Sequence, residues 1–400
     1  MSTPSATGAP GRSARDNAGG SATPANMGST GGADATTVAD RDAPVIDAAA
    51  RLVHWLATGP VQRDDGGVAG WVDADGRAAY VYPEIAGYFL QWLTWRATQG
   101  DSRRELERRA GATQRWLAGW AHAEGPPPTR VHLVEGHVDW RNDAVFCFDL
   151  AMVLRGLAAA AAQRLIAIDA ALVDSVCREL DLLVGADGQL DACRVHATRD
   201  VAFPDRWSTR RGAFLAKAAA GIDFAAARLP RIPARLRDAA MLTFDASLLA
   251  LRETPHSETH PLLYAIEGYL NWPQHPGFAR NLPAVGACLD RLVERCDALG
   301  RVPESDDGAG PARLDIVAQT IRAGLLVDHH RGTTARGAFL RKLARALCDA
   351  VTADGALPFV RDAAPSQRNA WATMFASQAL AWAGGGAAAA SAATRDPLLV

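Results

Sequence analysis

Five residues of this chain have the side-chain types of acid–base chemistry and fall where helices are expected to begin: Glu84, Asp149, His260, Tyr264 and Asp315. The most informative stretch is Glu258-Thr-His-Pro-Leu-Leu-Tyr-Ala-Ile-Glu-Gly-Tyr. Pro261 suits a first helical turn, so His260, Tyr264 and Glu267 fall on one face at steps of four and three. A histidine at a helix entrance with a tyrosine one turn below it is a proton-transfer pair. Asp315, Gln319 and Arg322 form a second stripe at the same spacing, where a structural ion pair competes with ligand contact. Glu84 in a first helical turn also reads as a partner of the helix dipole, and Asp143 as an N-cap.

Arg211, Trp207, Glu267, Gln319, Asn369 and Trp371 complete the candidate set as binding residues. Guanidinium groups, carboxylates, an imidazole and aromatic faces are what a carbohydrate site uses, since hydroxyls are held by paired hydrogen bonds while C–H faces stack on rings. Hydrolysis would need two carboxylates about 5.5 Å apart for retention or roughly 6.5 to 9.5 Å for inversion, which Glu84, Asp149 or Asp315 could supply. Epimerisation or elimination would need a base and a group to stabilise a carbanion, for which His260, Tyr264 and Arg211 are suitable types. No metal and no cofactor are expected. His132 and His137 flank Glu135 in a loop without metal-ligand spacing, and the chain has no HExxH, no Gly-rich phosphate loop and no GxSxG elbow.

The elements that must position these groups are helices. Apolar residues recur at three- and four-residue intervals from Ala43 onward, and strand-like alternation is confined to patches such as 79–82 and 357–360, which are expected to pair at a rim. Six segments are apolar nearly all round, and they begin near Tyr82, Phe148, Arg211, His260, Leu314 and Asn369. Their recurrence at roughly 50 to 65 residues is a repeat signal. Six amphipathic segments alternate with them, at 45–57, 103–122, 170–184, 234–251, 282–298 and 334–351. A helix apolar on every side must be buried, so the expectation is all-α: an inner ring and an outer ring, six hairpins in a twelve-helix (α/α)6 toroid. The polar residues at the inner-helix starts then converge on one cavity.

Composition agrees with a single globular unit: 48% hydrophobic and 22% charged residues, with a formal net charge of −2 that advertises no nucleic acid. No apolar run is long enough to span a membrane. Residues 1–40, rich in Ser, Thr, Gly and Pro without a signal-like apolar core, read as a disordered tail, 41–384 as the toroid and 385–400 as a flexible tail, in a cytoplasmic protein. The six cysteines are scattered without CxxC pairing and read as reduced core thiols.

At Thr259-His-Pro-Leu-Leu-Tyr-Ala-Ile-Glu-Gly-Tyr-Leu, with Phe148-Asp-Leu-Ala-Met-Val-Leu-Arg-Gly-Leu before it and Arg313-Leu-Asp-Ile-Val-Ala-Gln-Thr-Ile-Arg after it, the chain resembles the toroid proteins encoded with bacterial exopolysaccharide and capsule genes, the VpsJ-like group. The resemblance spans roughly 44–383 and implies a glycan setting, with polysaccharide biosynthesis enzymes as partners, more than it implies a reaction. The wider toroid class includes glycoside hydrolases, polysaccharide lyases, N-acylglucosamine epimerases and terpenoid cyclases. Asp306-Asp307 lacks the continuation of a cyclase motif, and the paired Cys and His of a lanthionine-cyclase-like zinc site are missing. The sequence therefore leads to a carbohydrate-active protein that epimerises, eliminates or hydrolyses a sugar or sugar-acid unit, with a noncatalytic glycan-binding or assembly protein as the rival reading.

Overall fold

The computed structural model describes residues 35–137, 139–197, 203–253, 257–361 and 367–395. The chain divides into two compact units, 1–41 and 42–400. Of the first, only the opening turns of the first helix are described.

Twelve α-helices are present among the described residues. The outer set is α1 (Ala35–Thr58), α3 (Arg103–Ala121), α5 (Ala170–Asp181), α7 (Ala234–Glu253), α9 (Phe278–Glu294) and α11 (Gly337–Cys348). The inner set is α2 (Pro83–Thr98), α4 (Cys147–Ala162), α6 (Leu215–Ala226), α8 (Thr259–Leu270), α10 (Leu314–His330) and α12 (Ala370–Arg395). Each inner helix packs on the next in the order α2, α4, α6, α8, α10, α12, and α12 packs back on α2, so the inner ring is closed. Hydrophobic patterning accounts for the division. Every residue of α2 from Pro83 to Trp95 is buried, whereas α3 buries only one stripe, Leu106, Arg109, Ala110, Thr113, Leu117 and Trp120.

Small residues set how closely the inner helices approach. A Cβ added at Gly87 would lie 2.4 Å from the Met152 carbonyl oxygen, and one at Gly156 would lie 2.4 Å from the Gly87 carbonyl oxygen, so α2 and α4 touch backbone to backbone. Gly268 plays the same part between α8 and α6, where a Cβ would lie 2.3 Å from Lys217 N.

Three two-stranded antiparallel pairs tie the rim loops: β1 (Trp71–Val72) with β6 (Arg368–Asn369), β2 (Tyr80–Val81) with β3 (Val131–His132), and β4 (Ala144–Phe146) with β5 (Cys193–Val195). The expected pairing at 79–82 is therefore observed, and Val360 forms a bridge with Arg313. The first of these pairs joins the first rim loop to the last.

Three boundaries differ from the sequence expectation. Helix α1 begins at Ala35, within the stretch read as tail, while residues 1–34 lie outside the described residues. Helix α12 continues to Arg395, past the point where loose chain was expected, because the Ala-rich run after Gly386 has high helix propensity. Helix α6 begins at Leu215, four residues beyond Arg211, and this displacement matters for the site.

Candidate functional site

A cavity of about 240 Å³ opens where the inner helices begin. All six starts contribute a wall: Glu84 of α2, Asp149 of α4, Phe214 before α6, His260 of α8, Arg313 before α10 and Trp371 of α12. The convergence expected from the sequence is therefore what the fold produces.

Glu84 and Asp149 form the acidic side. Both sit in the first turns of α2 and α4, the two helices that touch backbone to backbone. The Tyr82 hydroxyl, 3.3 Å from Asp149 Oδ1, donates into the pair. Asp149 Oδ2 is buried with no protein donor aimed at it. The two carboxyl groups are buried close enough to interact electrostatically, and burial favours the protonated form of each. Burial pushes Asp149 well above its ordinary value, and the neighbouring Glu84 charge pushes it further. Burial also raises Glu84, while the nearby Tyr82 hydroxyl and the charges of Lys217 and Arg130 act the other way.

His260 lies on α8, three helices around the ring from α2. Its Nδ1 is 2.9 Å from Gln319 Oε1. Gln319 Nε2 in turn donates to Glu267 Oε2 at 3.1 Å, so the Gln319 oxygen is the acceptor facing the histidine. The Nδ1 must then carry the proton, and Nε2, which makes no hydrogen bond among the described residues, holds the lone pair. Burial, reinforced by the Arg313 charge, holds the imidazole down at about 3, so it is neutral. Asp315 Oδ2 lies 3.8 Å from Nδ1 and favours the imidazolium. Tyr264 packs on the imidazole with ring centroids 4.2 Å apart, and Trp207 meets it edge-on at 5.8 Å.

Asp315 is fully buried and engaged on all sides. Arg313 donates to both its oxygens, at 3.1 and 2.7 Å, and Trp371 Nε1 lies 3.2 Å from Oδ2. Although burial acts to raise it, the Arg313 charge keeps it below its ordinary value, so it is a fixed anion that anchors a cavity wall.

Beneath the cavity lies a second charged cluster. Glu267 Oε2 is 2.7 Å from Lys217 Nζ, and Oε1 is 2.5 Å from Arg322 Nη2, with all three side chains completely buried. Lys217 also lies 4.8 Å from the ring centroids of Tyr88 and Tyr264. Burial lowers Lys217 to about 8, while the two cations keep Glu267 below its ordinary value against its own burial.

Several sequence-expected residues are therefore relocated. Arg211 does not reach the cavity: it is turned outward to Asp187 and Asp191, 2.5 and 2.8 Å away, because it precedes α6 by a full turn of loop. Glu267 and Gln319 lie below the cavity as an ion-pair centre and a bridge, and neither lines it. Asn369 belongs to β6, and its Oδ1 accepts from Ala372 N at 2.8 Å as a cap of α12. Trp207 and Trp371 do form walls. The loop between α3 and α4 and the loop before α6 add Arg130, Trp140, Arg141 and Arg206, which no helical periodicity marks. At the edge of the site His132, His137 and Asp139 bring potential metal ligand atoms within 4.8 Å of one another, a cluster the sequence spacing did not indicate. Both Asp139 oxygens accept from arginine there, Arg130 at 2.9 Å and Arg141 at 3.0 Å.

Ring and cavity together define an (α/α)6 toroid whose site lies at the inner-helix N-termini. Comparison with solved structures finds that architecture repeatedly. A D-mannose isomerase aligns with a TM-score of 0.64 at 10% identity, covering 88% of this chain and 98% of its own. The cellobiose 2-epimerase of Spirochaeta thermophila DSM 6192 aligns at 0.61 and 12% identity, covering 86% and 98%. A glycosidase in complex with glucose aligns at 0.55 and 14%, covering 88% and 99%. No family model and no curated protein matches the sequence. At these identities the fold is what is shared. No helix among the described residues is long and apolar enough to cross a membrane.

Proposed function

We propose that this protein is a carbohydrate-active enzyme that relocates a proton on a sugar by isomerisation, epimerisation or elimination. One observation carries the reading: a neutral histidine with a free Nε2 and a buried carboxyl pair pushed toward its protonated form line the same cavity from helices on opposite sides of the ring. A base and an acid in complementary protonation states at neutral pH are what proton relocation needs. His260 Nε2 takes a proton from a carbon beside a carbonyl, and the C–H electron pair moves to form the enediol double bond. The carbonyl oxygen takes the Asp149 proton in the same step, and Asp315 steadies the imidazolium. Returning the proton to the adjacent carbon, while the hydroxyl on the first carbon gives its proton to the Asp149 carboxylate and becomes the new carbonyl, gives an isomer. Returning it to the opposite face of the first carbon after the enediol has turned, with the original carbonyl oxygen giving its proton back to Asp149, gives an epimer.

Hydrolysis is less well supported. A hydrolase needs two carboxyl groups across the scissile bond, whereas here Asp315 is tied to Arg313, and Glu84 and Asp149 come from adjoining helices of the ring. The sugar substrate is supported by what the toroid neighbours are described as acting on, a mannose isomerase and a cellobiose epimerase among them. The resemblance to toroids of exopolysaccharide and capsule clusters supports a cytoplasmic role in surface polysaccharide biosynthesis, beside enzymes of that system. Trp140, Trp207 and Trp371 on the cavity walls favour one other reading, a noncatalytic glycan-binding protein.

Incubation in D₂O with aldoses, ketoses and sugar acids, followed by NMR, tests the proposal. Deuterium should enter at the carbon next to the carbonyl of one sugar class, and His260→Gln should slow that exchange by about 10²- to 10⁴-fold. Sugar binding with no exchange in any class would sink the enzyme reading and leave the binding one.

A further inference from the structure

We infer that the sugar handled here is anionic, its charged group held at the cavity mouth by Arg141 and Arg206 beside Trp140. The inference rests on the carbohydrate reading and narrows it. The guanidinium of Arg141 lies 4.7 Å from the Trp140 ring centroid, and that of Arg206 lies 5.8 Å from it. Arg130 lines the same side and lies 4.6 Å from the Tyr80 ring.

Three cations thus share one region, where one carboxylate, Asp139, is ion-paired to two of them. Asp139 accepts from Arg130 Nη1 at 2.9 Å and from Arg141 Nη1 at 3.0 Å. Arg206 forms no ion pair among the described residues, although the exposed Glu258 carboxylate is near enough to feel its field. Burial pushes Glu84 and Asp149 toward their protonated forms, which limits the negative charge the acidic pair offers to Arg130. A neutral sugar would leave the positive excess uncompensated, whereas a carboxylate or phosphate oxygen pair fits the forked donors of two guanidiniums. The Trp140 indole beside them suits a C–H face of the ring. The carboxylate of a uronic acid and the phosphate of a sugar phosphate share this chemistry, and the choice between them is an experimental arm.

Calorimetric titration of the full chain with glucuronate, galacturonate and mannuronate, with the three parent hexoses and with their 6-phosphates gives the test. At least one anionic sugar should bind about tenfold tighter than its neutral parent, the gain expected from one charged hydrogen-bonded pair. Arg206→Gln should collapse that ratio toward one with the parent hexose unaffected, Arg206→Lys should restore part of it, and Arg141→Gln should lower it independently. Arg206 is exposed, so its loss does not threaten the fold. A wild-type ratio near one, a ratio that survives the double Arg141→Gln, Arg206→Gln change, or no binding by any anionic sugar overturns the inference. Repeating the titration in His260→Gln separates the two readings. There the anion preference persists if the arginines set it, so a failure of D₂O exchange would remove the proton-transfer reading without touching this one.

Discussion

The cavity floor and the cluster beneath it are built from the same materials, charged side chains on inner helices with almost no exposure, yet they solve burial in opposite ways. Under the cavity the buried charges are ion-paired: one carboxylate, Glu267, meets two cations, Lys217 and Arg322, and Gln319 also donates to it. At the cavity, Glu84 and Asp149 face each other, and burial is relieved by a retained proton. Saturated charges hold a shape, whereas a group that stays protonated for want of a partner can give that proton away.

Breaking the saturated cluster should have the largest effect. Glu267→Ala strands two buried cations, and urea unfolding should show a loss of about 3 to 5 kcal/mol. Its counterpart in the cavity is Asp149→Asn, which mimics the protonated acid and should cost less than about 1 kcal/mol while abolishing exchange. Equal losses in the two variants would erase the contrast. Gln319→Leu removes the acceptor that fixes the His260 tautomer. Exchange should fall roughly tenfold, and ¹⁵N NMR should show a mixture of imidazole tautomers in place of one. An unchanged tautomer would mean that Gln319 is packing alone.

The pH predictions are smaller and sharper. His260 is held at about 3 in the folded protein against an ordinary 6.5. The stability it contributes is complete above the unfolded value and is lost as pH falls from about 6.5 toward 3. Melting temperature should drop across that window in the wild type and drop less in His260→Gln. Activity should have no acid limb from His260 above about 4 and an alkaline limb set by loss of the Asp149 proton. Glu84→Gln removes one of the charges that raise Asp149, so that limb should move to lower pH. A limb that stays in place would assign it to another group.

The ring was legible because its signal is compositional: a helix such as α8, apolar on every side, has only one place to go. The positions of Glu84, Asp149 and His260 at the cavity followed, since residues at successive inner-helix starts share a rim. What the sequence withheld was distance. That the Glu84 charge acts on Asp149 follows from the backbone contact of α2 and α4 at Gly87 and Gly156, two glycines that read equally well as ordinary small-residue packing. Arg211 was misplaced because loop geometry is set by turns, and the turn at 187–191 captures its guanidinium. Arg130, Arg141 and Arg206 carry no periodic mark for the same reason. Gln319 and Glu267 looked like ligands because a buried relay and a binding stripe have identical helical spacing.

The clasp of β1 on β6, between Trp71–Val72 and Arg368–Asn369, has a bearing on biosynthesis. The wall supplied by Trp371 can join Glu84 only after nearly three hundred residues separating the two strands have emerged from the ribosome. Contacts so remote in sequence form late, and the cavity is complete only when they do. A nascent or truncated chain thus carries every acid–base group up to Asp315 without the enclosure that tunes them, which restricts the chemistry to finished molecules.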